Sequence, residues 1–256
     1  MATQSPMQHS HRSVLLGNLV RAILQVILEV IFESYNSPAA YRQPIQMVAT
    51  KLRQPCLKEL MRRYLYNELY ATDNTTADDV PLCDCPNITG RISIHYSATA
   101  TFYAPSELAG IGGLHREVIR SNPAWQKSYA RYDTVLVNMD PAMAGMRGML
   151  VARVKAFLSF TYDHESYSCA LVDWFEPDGN EPDTITGFWR VKPEIRDGLQ
   201  SVGVVDINSV VRAVHLIGVY QDTVIPSDLA FYHSLDAFEV FYINKYADYH
   251  SHETIV

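Results

Sequence analysis

The segment Leu150–Phe175, LVARVKAFLSFTYDHESYSCALVDWF, decides the expected fold. Two runs rich in β-branched and aromatic residues stand on either side of the short polar stretch DHES, Asp163–Ser166. Runs of this composition are typical of β-strands, and so short a connection joins antiparallel neighbours. Parallel strands would need a crossover of about a dozen residues or more. The segment therefore predicts an antiparallel β-hairpin.

Further strands are expected on both sides of this hairpin. Residues 91–102, RISIHYSATATF, place apolar side chains on one face and polar ones on the other, which is the pattern of a half-buried strand. YDTVLVNM at 132–139 and TGFWRV at 186–191 predict two more strands. Residues 203–220 predict a strand, a brief helical turn begun by Asp206, and a final strand.

Four segments predict helices. In Ser13–Glu33 the polar residues recur every three or four positions, which predicts an amphipathic helix, and the charges among them disfavour a membrane span. Residues 55–70, PCLKELMRRYLYNELY, predict a second amphipathic helix. Residues 107–120 are expected to be a loop leading into a short helix. The segment 227–250, rich in Phe and Tyr, is expected to form a C-terminal helix.

Together these elements predict an α+β protein. Residues 1–72 form a helical N-terminal segment in this interpretation, and the polar, turn-rich residues 73–90 form a linker. Residues 91–256 form a mainly antiparallel, barrel-like domain that ends in the C-terminal helix.

The charge of the chain is unevenly distributed. The formal net charge is −7 at pH 7, which disfavours a protein whose whole surface grips nucleic-acid phosphates. Residues 1–72 nevertheless carry eight Lys and Arg against four Asp and Glu, so that segment has a balance of +4 and the remainder −11. A basic N-terminal third on an acidic body keeps local contact with DNA open.

Cysteine and histidine usage argues against a metal centre. Four cysteines in 256 residues do not make a disulfide framework, so we expect an intracellular, reducing location. Cys83 and Cys85 lack the second pair, or the helically spaced histidines, that a zinc site needs. His250, His252 and Glu253 are expected to be a polar tail, because histidines two apart do not share a helix face. We predict no metal, no cofactor and no membrane association.

The stretch Cys169–Val191, CALVDWFEPDGNEPDTITGFWRV, places two tryptophans on either side of an acidic loop. Our favoured interpretation is that both indoles enter the core, because they bury large apolar areas. The alternative is an aromatic cleft that binds a cationic peptide or a modified lysine. In that case the candidate ligand-binding residues are Trp174, Phe175, Glu176, Asp178 and Trp189.

A basic cluster near the second predicted helix is the candidate nucleic-acid contact. Its members are Lys51, Arg53, Lys58, Arg62 and Arg63. Such a cluster can bind a phosphate backbone, or it can be a solvated helix face, which the intervening Glu59 favours.

Three acidic residues raise an enzymatic alternative. Asp133 and Asp173 lie on predicted strands and Glu239 on the predicted C-terminal helix, the order used by metal-dependent nuclease and transposase cores. Those cores need parallel strands joined by helical crossovers, and only loops and a tight hairpin separate the first two acids. The chain also carries no nucleophile elbow, phosphate loop or dinucleotide fingerprint. We therefore assign no catalytic residue and expect no enzyme.

A resemblance to a known family is carried by six strings that follow one another along the chain. They are DVPLCDCPNITGRISIHYSATATFYAPSELAGIGGLHREVIR, ARYDTVLVN, MRGMLVARVKAFLSFTY, YSCALVDWFEPDGNEPDTITGFWRVKPE, VVRAVHLIGVY and SLDAFEVFYINKYADYHSHE. They closely resemble the C-terminal region of Plavaka-type transposon proteins, which belong to the CACTA-related DNA transposons of basidiomycete fungi. The match runs in order from about Lys51 to the C-terminus. The string LVDWFEPDGNEPDTITGFWRV is also similar to the C-terminal accessory domain of plant CACTA transposases.

This resemblance implies a non-catalytic C-terminal accessory module that acts in protein or DNA binding. In that family the acidic catalytic core lies upstream, in much longer proteins, so a transposase catalytic domain is the implied partner and the nucleus the implied location. Residues 1–50 match no part of that core, so we expect a truncated transposon remnant.

A looser similarity links VARVKAFLSFTY and YSCALVDWF to bromo-adjacent-homology (BAH) domains, which read histone tails with an SH3-like barrel. It implies an SH3/BAH-like body. It also implies a second functional hypothesis, a free-standing chromatin reader that binds a histone or another basic peptide.

Overall fold

A computed structural model of the chain describes residues 27–29, 42–70, 75–104, 113–220 and 228–256. The α-helices in these ranges are α1 Ile45–Lys51, α2 Leu57–Tyr70, α3 Ser234–Ala237 and α4 Tyr249–Ile255. The strands are β1 Ile27–Glu29, β2 Arg42–Pro44, β3 Arg91–His95, β4 Ser97–Tyr103, β5 Leu114–Trp125, β6 Tyr129–Tyr132, β7 Thr134–Asn138, β8 Met149–Tyr162, β9 Glu165–Pro177, β10 Arg190–Pro193, β11 Ile195–Arg196, β12 Leu199–Gln200, β13 Val202–Asp206, β14 Val210–Ala213, β15 Leu216–Gly218 and β16 Phe241–Ile243.

The long β8–β9 hairpin is the centre of the fold, and its prediction is confirmed. The two strands pair antiparallel from Val151 opposite Phe175 to Tyr162 opposite Glu165. Only Asp163 and His164 remain in the turn, with φ of 48° and 66°. Two successive positive φ angles match the right-handed twist of a hairpin, so this turn continues the strands without splaying them.

Most of the strands belong to two sheets, of which the larger contains this hairpin, and β11 and β12 form a separate pair. The larger has the order β14-β7-β8-β9-β10-β16-β15, with β3 beside β8, β2 beside β3 and β13 beside β9. The smaller has the order β1-β4-β5-β6. Every strand pairing within the described ranges is antiparallel. The protein is therefore α+β with a mainly antiparallel, curled sheet, as predicted, whereas the narrower SH3/BAH-like assignment stays a prediction.

Asp133, the single residue between β6 and β7, joins the two sheets. Its N–H donates to the Arg120 carbonyl at 2.8 Å in the smaller sheet, and its carbonyl accepts from the Val154 N–H at 3.0 Å in the larger one. One chain segment thus serves as an edge strand of the smaller sheet and an inner strand of the larger.

Both faces of β9 are buried, which explains its nearly continuous apolar run. Ala170 and Val172 face one cluster, which the smaller sheet covers through residues such as Phe102 and Ile119. Cys169 and Leu171 face a second cluster with the helices, and Phe175 joins a third with the C-terminal elements. The members of the second cluster contributed by the helices are Ile45, Val48, Leu57, Met61, Tyr64 and Leu65.

The helix predicted at 55–70 is confirmed as α2. Its Leu57, Met61 and Leu65 are fully buried, at a spacing of four that places them on one side of the helix. The Tyr64 hydroxyl donates to Asp206 at 3.1 Å, a residue that also caps the short helical turn Ile207–Ser209 as expected. The N-terminal helices and the sheet therefore share one core.

Residues 75–90, the described part of the predicted linker 73–90, pack against α2. The Arg62 guanidinium donates to the carbonyls of Leu82 at 2.7 Å and Pro86 at 2.9 Å. Arg63 donates to the Ala77 carbonyl at 2.5 Å, and Ala77 is buried. The backbone carbonyls of this segment are thus satisfied by arginine side chains of α2.

Two predicted helices are strands where the structure describes them. Ile27–Glu29, within the amphipathic segment 13–33, forms β1 and pairs with β4, and the rest of that segment lies outside the described residues. The short helix expected within 107–120 is wrong, because residues from Leu114 onward form β5 and pair with β4 over seven positions.

The predicted C-terminal helix over 227–250 is also wrong. Its middle, Phe241–Ile243, is strand β16, in which Phe241 and Ile243 are buried while Tyr242 is only half-buried. This strand lies between β10 and β15, so a period of two prevails over the helical pattern. Residues 91–102 likewise form two strands, β3 and β4, which separate at Tyr96 into the two sheets.

Candidate nucleic-acid interface

Trp174 packs against the framework without entering the core completely. Its side chain is half-buried and packs on the cluster between the two sheets. The indole lies directly on Gly203 of β13, where an added Cβ would be 2.4 Å from the indole Nε1. The close approach of ring and backbone explains the glycine in that strand.

The remaining candidate ligand-binding residues of the hairpin are also engaged. Phe175 is buried and meets Phe241 edge-on at 5.8 Å, and Trp189 packs on the same C-terminal cluster. Glu176 pairs with Lys192 at 3.3 Å and Asp178 with Arg190 at 2.5 Å. The acidic charges offered to a cationic guest are thus matched by cations of the neighbouring strand β10.

An aromatic group beside Trp189 escaped the sequence reasoning. Phe188 contacts Tyr242 and Tyr246, each with a centroid distance of 5.6 Å. Lys245 lies over the Tyr246 ring at 5.4 Å. The protein therefore places one of its own ammonium groups on this aromatic surface.

The three acids of the enzymatic alternative occupy different settings. Asp133 accepts from Arg131 Nε at 2.8 Å, and Asp173 pairs with Lys155 at 3.2 Å. Glu239 is exposed in a bend before β16 and not on a helix, which corrects its expected placement. Within the described ranges, no group of three or more His, Cys, Asp or Glu side chains is arranged to hold a metal ion.

The expected polar tail at the C-terminus is wrong for His250, whereas His252 and Glu253 are exposed. His250 is buried in α4 and stacks on Phe102 at 4.4 Å. Arg212, only 3% exposed, donates to His250 Nδ1 at 2.9 Å and to Asp248 Oδ1 at 2.9 Å. Glu117 lies 3.7 Å from the same guanidinium. A buried polar network thus fixes α4 to β14 and β5.

The electrostatics of this network follow from burial and from Arg212. Although burial opposes it, hydrogen bonds from Arg212 and Ser251 hold the pKa of Asp248 far below its ordinary value. Burial raises the pKa of Glu117, and burial together with Arg212 lowers the pKa of His250. Because each donor and acceptor has a structural partner, we interpret the network as a clamp for the C-terminal helix.

The predicted basic cluster divides into two parts. Arg62 and Arg63 bind the carbonyls of residues 77–86, so their donors hold the fold together. Lys58 is half-buried, whereas Lys51 and Arg53 are exposed at the end of α1. Arg53, with a φ of 53°, lines a shallow depression together with Gln46, Ala49, Thr50, Gln54 and Pro55.

Lys51 and Arg53 lie beside cations from the central hairpin. Lys51 lies over the Tyr96 ring at 5.5 Å. Tyr132 of β6 is flanked by Arg153 at 5.6 Å and Lys155 at 5.1 Å, both from β8. Burial raises the pKa of the Tyr132 hydroxyl, and Arg53 opposes that shift from nearby.

A second set of cation–ring contacts lies on the β5–β6 hairpin. Trp125 is half-buried at the end of β5, with the guanidinium of Arg120 over its ring at 4.7 Å and that of Arg131 at 5.5 Å. Two arginines on one indole are stabilised by the negative face of its π-system. The cation–ring contacts thus form two sets, one around Tyr96 and Tyr132 and one around Trp125, and because Arg131 and Tyr132 are neighbours in β6 the two sets lie on opposite faces of that strand.

We call the two sets of contacts together the basic–aromatic strip. Its members are Lys51, Arg53, Tyr96, Arg120, Trp125, Arg131, Tyr132, Arg153 and Lys155. Three of its six cations are paired with carboxylates, namely Arg131 with Asp133, Arg153 with Asp236 and Lys155 with Asp173. In the described part of the chain no carboxylate forms an ion pair with the other three. The strip thus carries a surplus of positive charge on a protein of net charge −7.

Sequence reasoning found only two members of the strip, Lys51 and Arg53. The others are Tyr96, between β3 and β4, and residues of β5, β6 and β8, up to about a hundred positions later in the chain, so their proximity depends on the topology of the two sheets.

No family model, curated protein or solved structure matches this chain. Nor does any helix in the described ranges have the length and apolarity needed to cross a membrane.

Proposed function

We propose that this chain is a non-catalytic accessory module of a Plavaka-type transposon protein and that it binds DNA through the basic–aromatic strip. The resemblance of the six strings supports the family. The observation that carries the binding function is the grouping of six cations around three aromatic rings.

The chemistry of the strip suits a nucleic acid. Lysine and arginine neutralise phosphates and release counterions, which supplies affinity that falls with salt. Guanidinium and aromatic planes also offer stacking surfaces for bases. An acidic protein surface could pair with the cations, but it would not stack on the guanidinium planes that lie over Trp125 and Tyr132.

DNA binding would place the module in the nucleus beside a transposase catalytic domain. The module would then hold DNA while the partner supplies the metal-binding acids. The separate ion pairs of Asp133 and Asp173 are consistent with such a division of labour.

Binding of a fluorescently labelled oligonucleotide, measured by anisotropy over a series of salt concentrations, tests this proposal. The double variant Arg53→Gln/Arg120→Gln removes two strip cations that have no carboxylate partner among the described residues. We expect weaker binding and a log–log salt slope reduced by about 0.7 to 0.9 for each cation removed.

The matched control is Arg196→Gln, because Arg196 is exposed on the β11 turn and paired with Glu194 at 2.5 Å, away from the strip. It should leave the affinity and the slope unchanged. Absence of wild-type binding at low salt, or equal losses in the control and the double variant, would contradict the proposal.

The chromatin-reader hypothesis is the second candidate. It is favoured by the aromatic surface of Phe188, Tyr242 and Tyr246 beside the acidic hairpin loop. Against it stand the paired charges of Glu176 and Asp178. Titration with unmodified and methylated histone-tail peptides separates the two candidates, and peptide binding lost in Tyr246→Ala but retained in Arg53→Gln/Arg120→Gln would favour the reader.

A further inference from the structure

A second group of aromatic side chains adjoins the strip. Tyr129 of β6 stacks on Tyr232 with a centroid distance of 5.0 Å and an interplanar angle of 9°. Phe231 contacts both rings edge-on, at 5.0 Å from Tyr129 and 5.3 Å from Tyr232. We call these three residues the aromatic platform.

Two of the three rings of the platform are exposed to solvent. Phe231 is 72% exposed and Tyr232 40% exposed. Neither belongs to any of the three buried clusters, so burial in the core does not account for them. Exposed aromatic side chains grouped in contact with one another are a mark of a binding surface.

Contacts connect the platform directly to the strip. Tyr129 is paired with Trp125 across the β5–β6 hairpin, so both side chains lie on the same face. On the other side, Asp236 of the segment that carries Phe231 binds Arg153 at 2.6 Å, and Arg153 lies over Tyr132. The platform is therefore linked to the Trp125 set through Tyr129 and to Arg153 through Asp236.

A ligand that satisfies both surfaces needs flat apolar faces joined by a chain of negative charges. Unpaired nucleotides have this combination, because each base exposes a π-face and each phosphate a charge. In a duplex the base faces are covered by their neighbours, and only the phosphates and the groove edges remain available. The two surfaces together thus favour a single strand.

We propose that the site binds single-stranded DNA, with unpaired bases stacked on Phe231 and Tyr232 and the adjoining phosphates on the cations of the strip. This inference rests on the proposed DNA-binding function and specifies the form of DNA that is recognised. A transposon end whose strands have been separated is a source of such a substrate.

The test compares single-stranded and duplex oligonucleotides of the same sequence, bound to the full chain. We expect the wild type to prefer the single strand. Phe231→Ala and Tyr232→Ala should each weaken single-strand binding at least about fivefold, because base–aromatic stacking is lost. Duplex affinity, which depends on the strip cations, should stay within about twofold.

Tyr249→Ala is the matched control, since Tyr249 is 62% exposed and lies on α4. It should change neither affinity. Thermal unfolding of each variant checks the fold, which the loss of such exposed rings should leave intact.

The outcomes distinguish the two proposals. If the wild type binds no DNA of either form, the proposed function fails. If it binds both forms equally and the platform variants change neither, the strip stands and the single-strand inference is overturned. Equal affinity for polyglutamate would also overturn it, because an acidic polymer has no base faces to stack.

A second readout locates the bases. Photocrosslinking to an oligonucleotide that contains bromodeoxyuridine, followed by peptide mass spectrometry, should modify Tyr129, Phe231 or Tyr232. Crosslinks confined to Phe188 or Tyr246 would contradict the placement.

Discussion

The tryptophan hairpin, Cys169–Val191, and the basic–aromatic strip contain the same kinds of residue but use them differently. In the hairpin, the acidic residues Glu176 and Asp178 face cations across a strand pair, and Trp174 lies against the Gly203 backbone. In the strip, arginine and lysine lie over aromatic rings, and half of the cations have no carboxylate among the described residues. The difference lies in how the charges are used, because the hairpin pairs its acids with cations of the next strand, whereas the strip places cations over rings.

The largest effect should come from Trp174→Ala, which removes a framework indole. We expect a loss of about 3 kcal/mol in the free energy of unfolding, because a cavity forms between β9 and β13. The DNA affinity of the folded fraction should not change. Urea denaturation and anisotropy measure the two quantities, and a stable variant that has lost DNA binding would reverse our assignment of the two regions.

Trp125→Ala should show the opposite pattern. It removes the ring between Arg120 and Arg131, so we expect DNA affinity to fall by about tenfold. Stability should fall by less than about 1 kcal/mol, because the side chain is half-buried near a hairpin tip. Trp125→Phe keeps an aromatic face and should recover part of the binding.

The pH dependence of stability should involve His95, which precedes Tyr96 of the strip. Burial lowers the pKa of His95 from 6.5 to about 4, and its Nε2 lies 2.9 Å from the Ser159 hydroxyl. The unfolded chain therefore takes up a proton below pH 6.5 that the folded chain refuses. Stability present above pH 6.5 is lost as the pH falls towards 4.

Urea midpoints above pH 6.5 and near pH 4 measure this loss in the wild type and in His95→Gln. The variant should lose less stability on acidification. An equal loss in both proteins would assign the acid sensitivity to groups with a lowered carboxyl pKa, such as Asp248. Glu117 is not among them, because its raised pKa works in the opposite direction.

The smallest effect should be a gain. Asp173→Asn removes the partner of Lys155, which frees one strip cation, so DNA affinity should rise roughly twofold. A nuclease acid would behave differently, because its loss would abolish cleavage. Incubation of supercoiled plasmid with Mg²⁺ or Mn²⁺ should give no nicking by wild type or variant, and nicking lost in Asp173→Asn would revive the enzymatic hypothesis.

The sequence was informative where the physical signal is local. The β8–β9 hairpin follows from strand composition and a two-residue turn. Helix α2 follows from buried residues that recur every four positions. Strand β5 was missed because its inward positions are partly polar. His115 and Glu117 face the buried Arg212 network, which hides the alternation that a strand normally shows.

Sequence could not assemble the strip. Arg153 and Lys155 of β8 lie over the Tyr132 ring although β6 and β8 belong to different sheets. This contact depends on the topology and not on the spacing of the residues in the sequence. Resemblance to transposon proteins likewise pointed to a module and not to a surface. The split of the C-terminal helix by β16 also depended on partners, β10 and β15, that lie far away in the chain.

The bridging position of Asp133 has a mechanical consequence. Its N–H and carbonyl fasten one sheet to the other, while its carboxylate steadies Arg131 beside Trp125. A load applied to the β5–β6 hairpin, such as tension along a captured strand, is transmitted through this residue to β8. If the proposed DNA binding holds, force on the DNA would reach the central hairpin through these two hydrogen bonds.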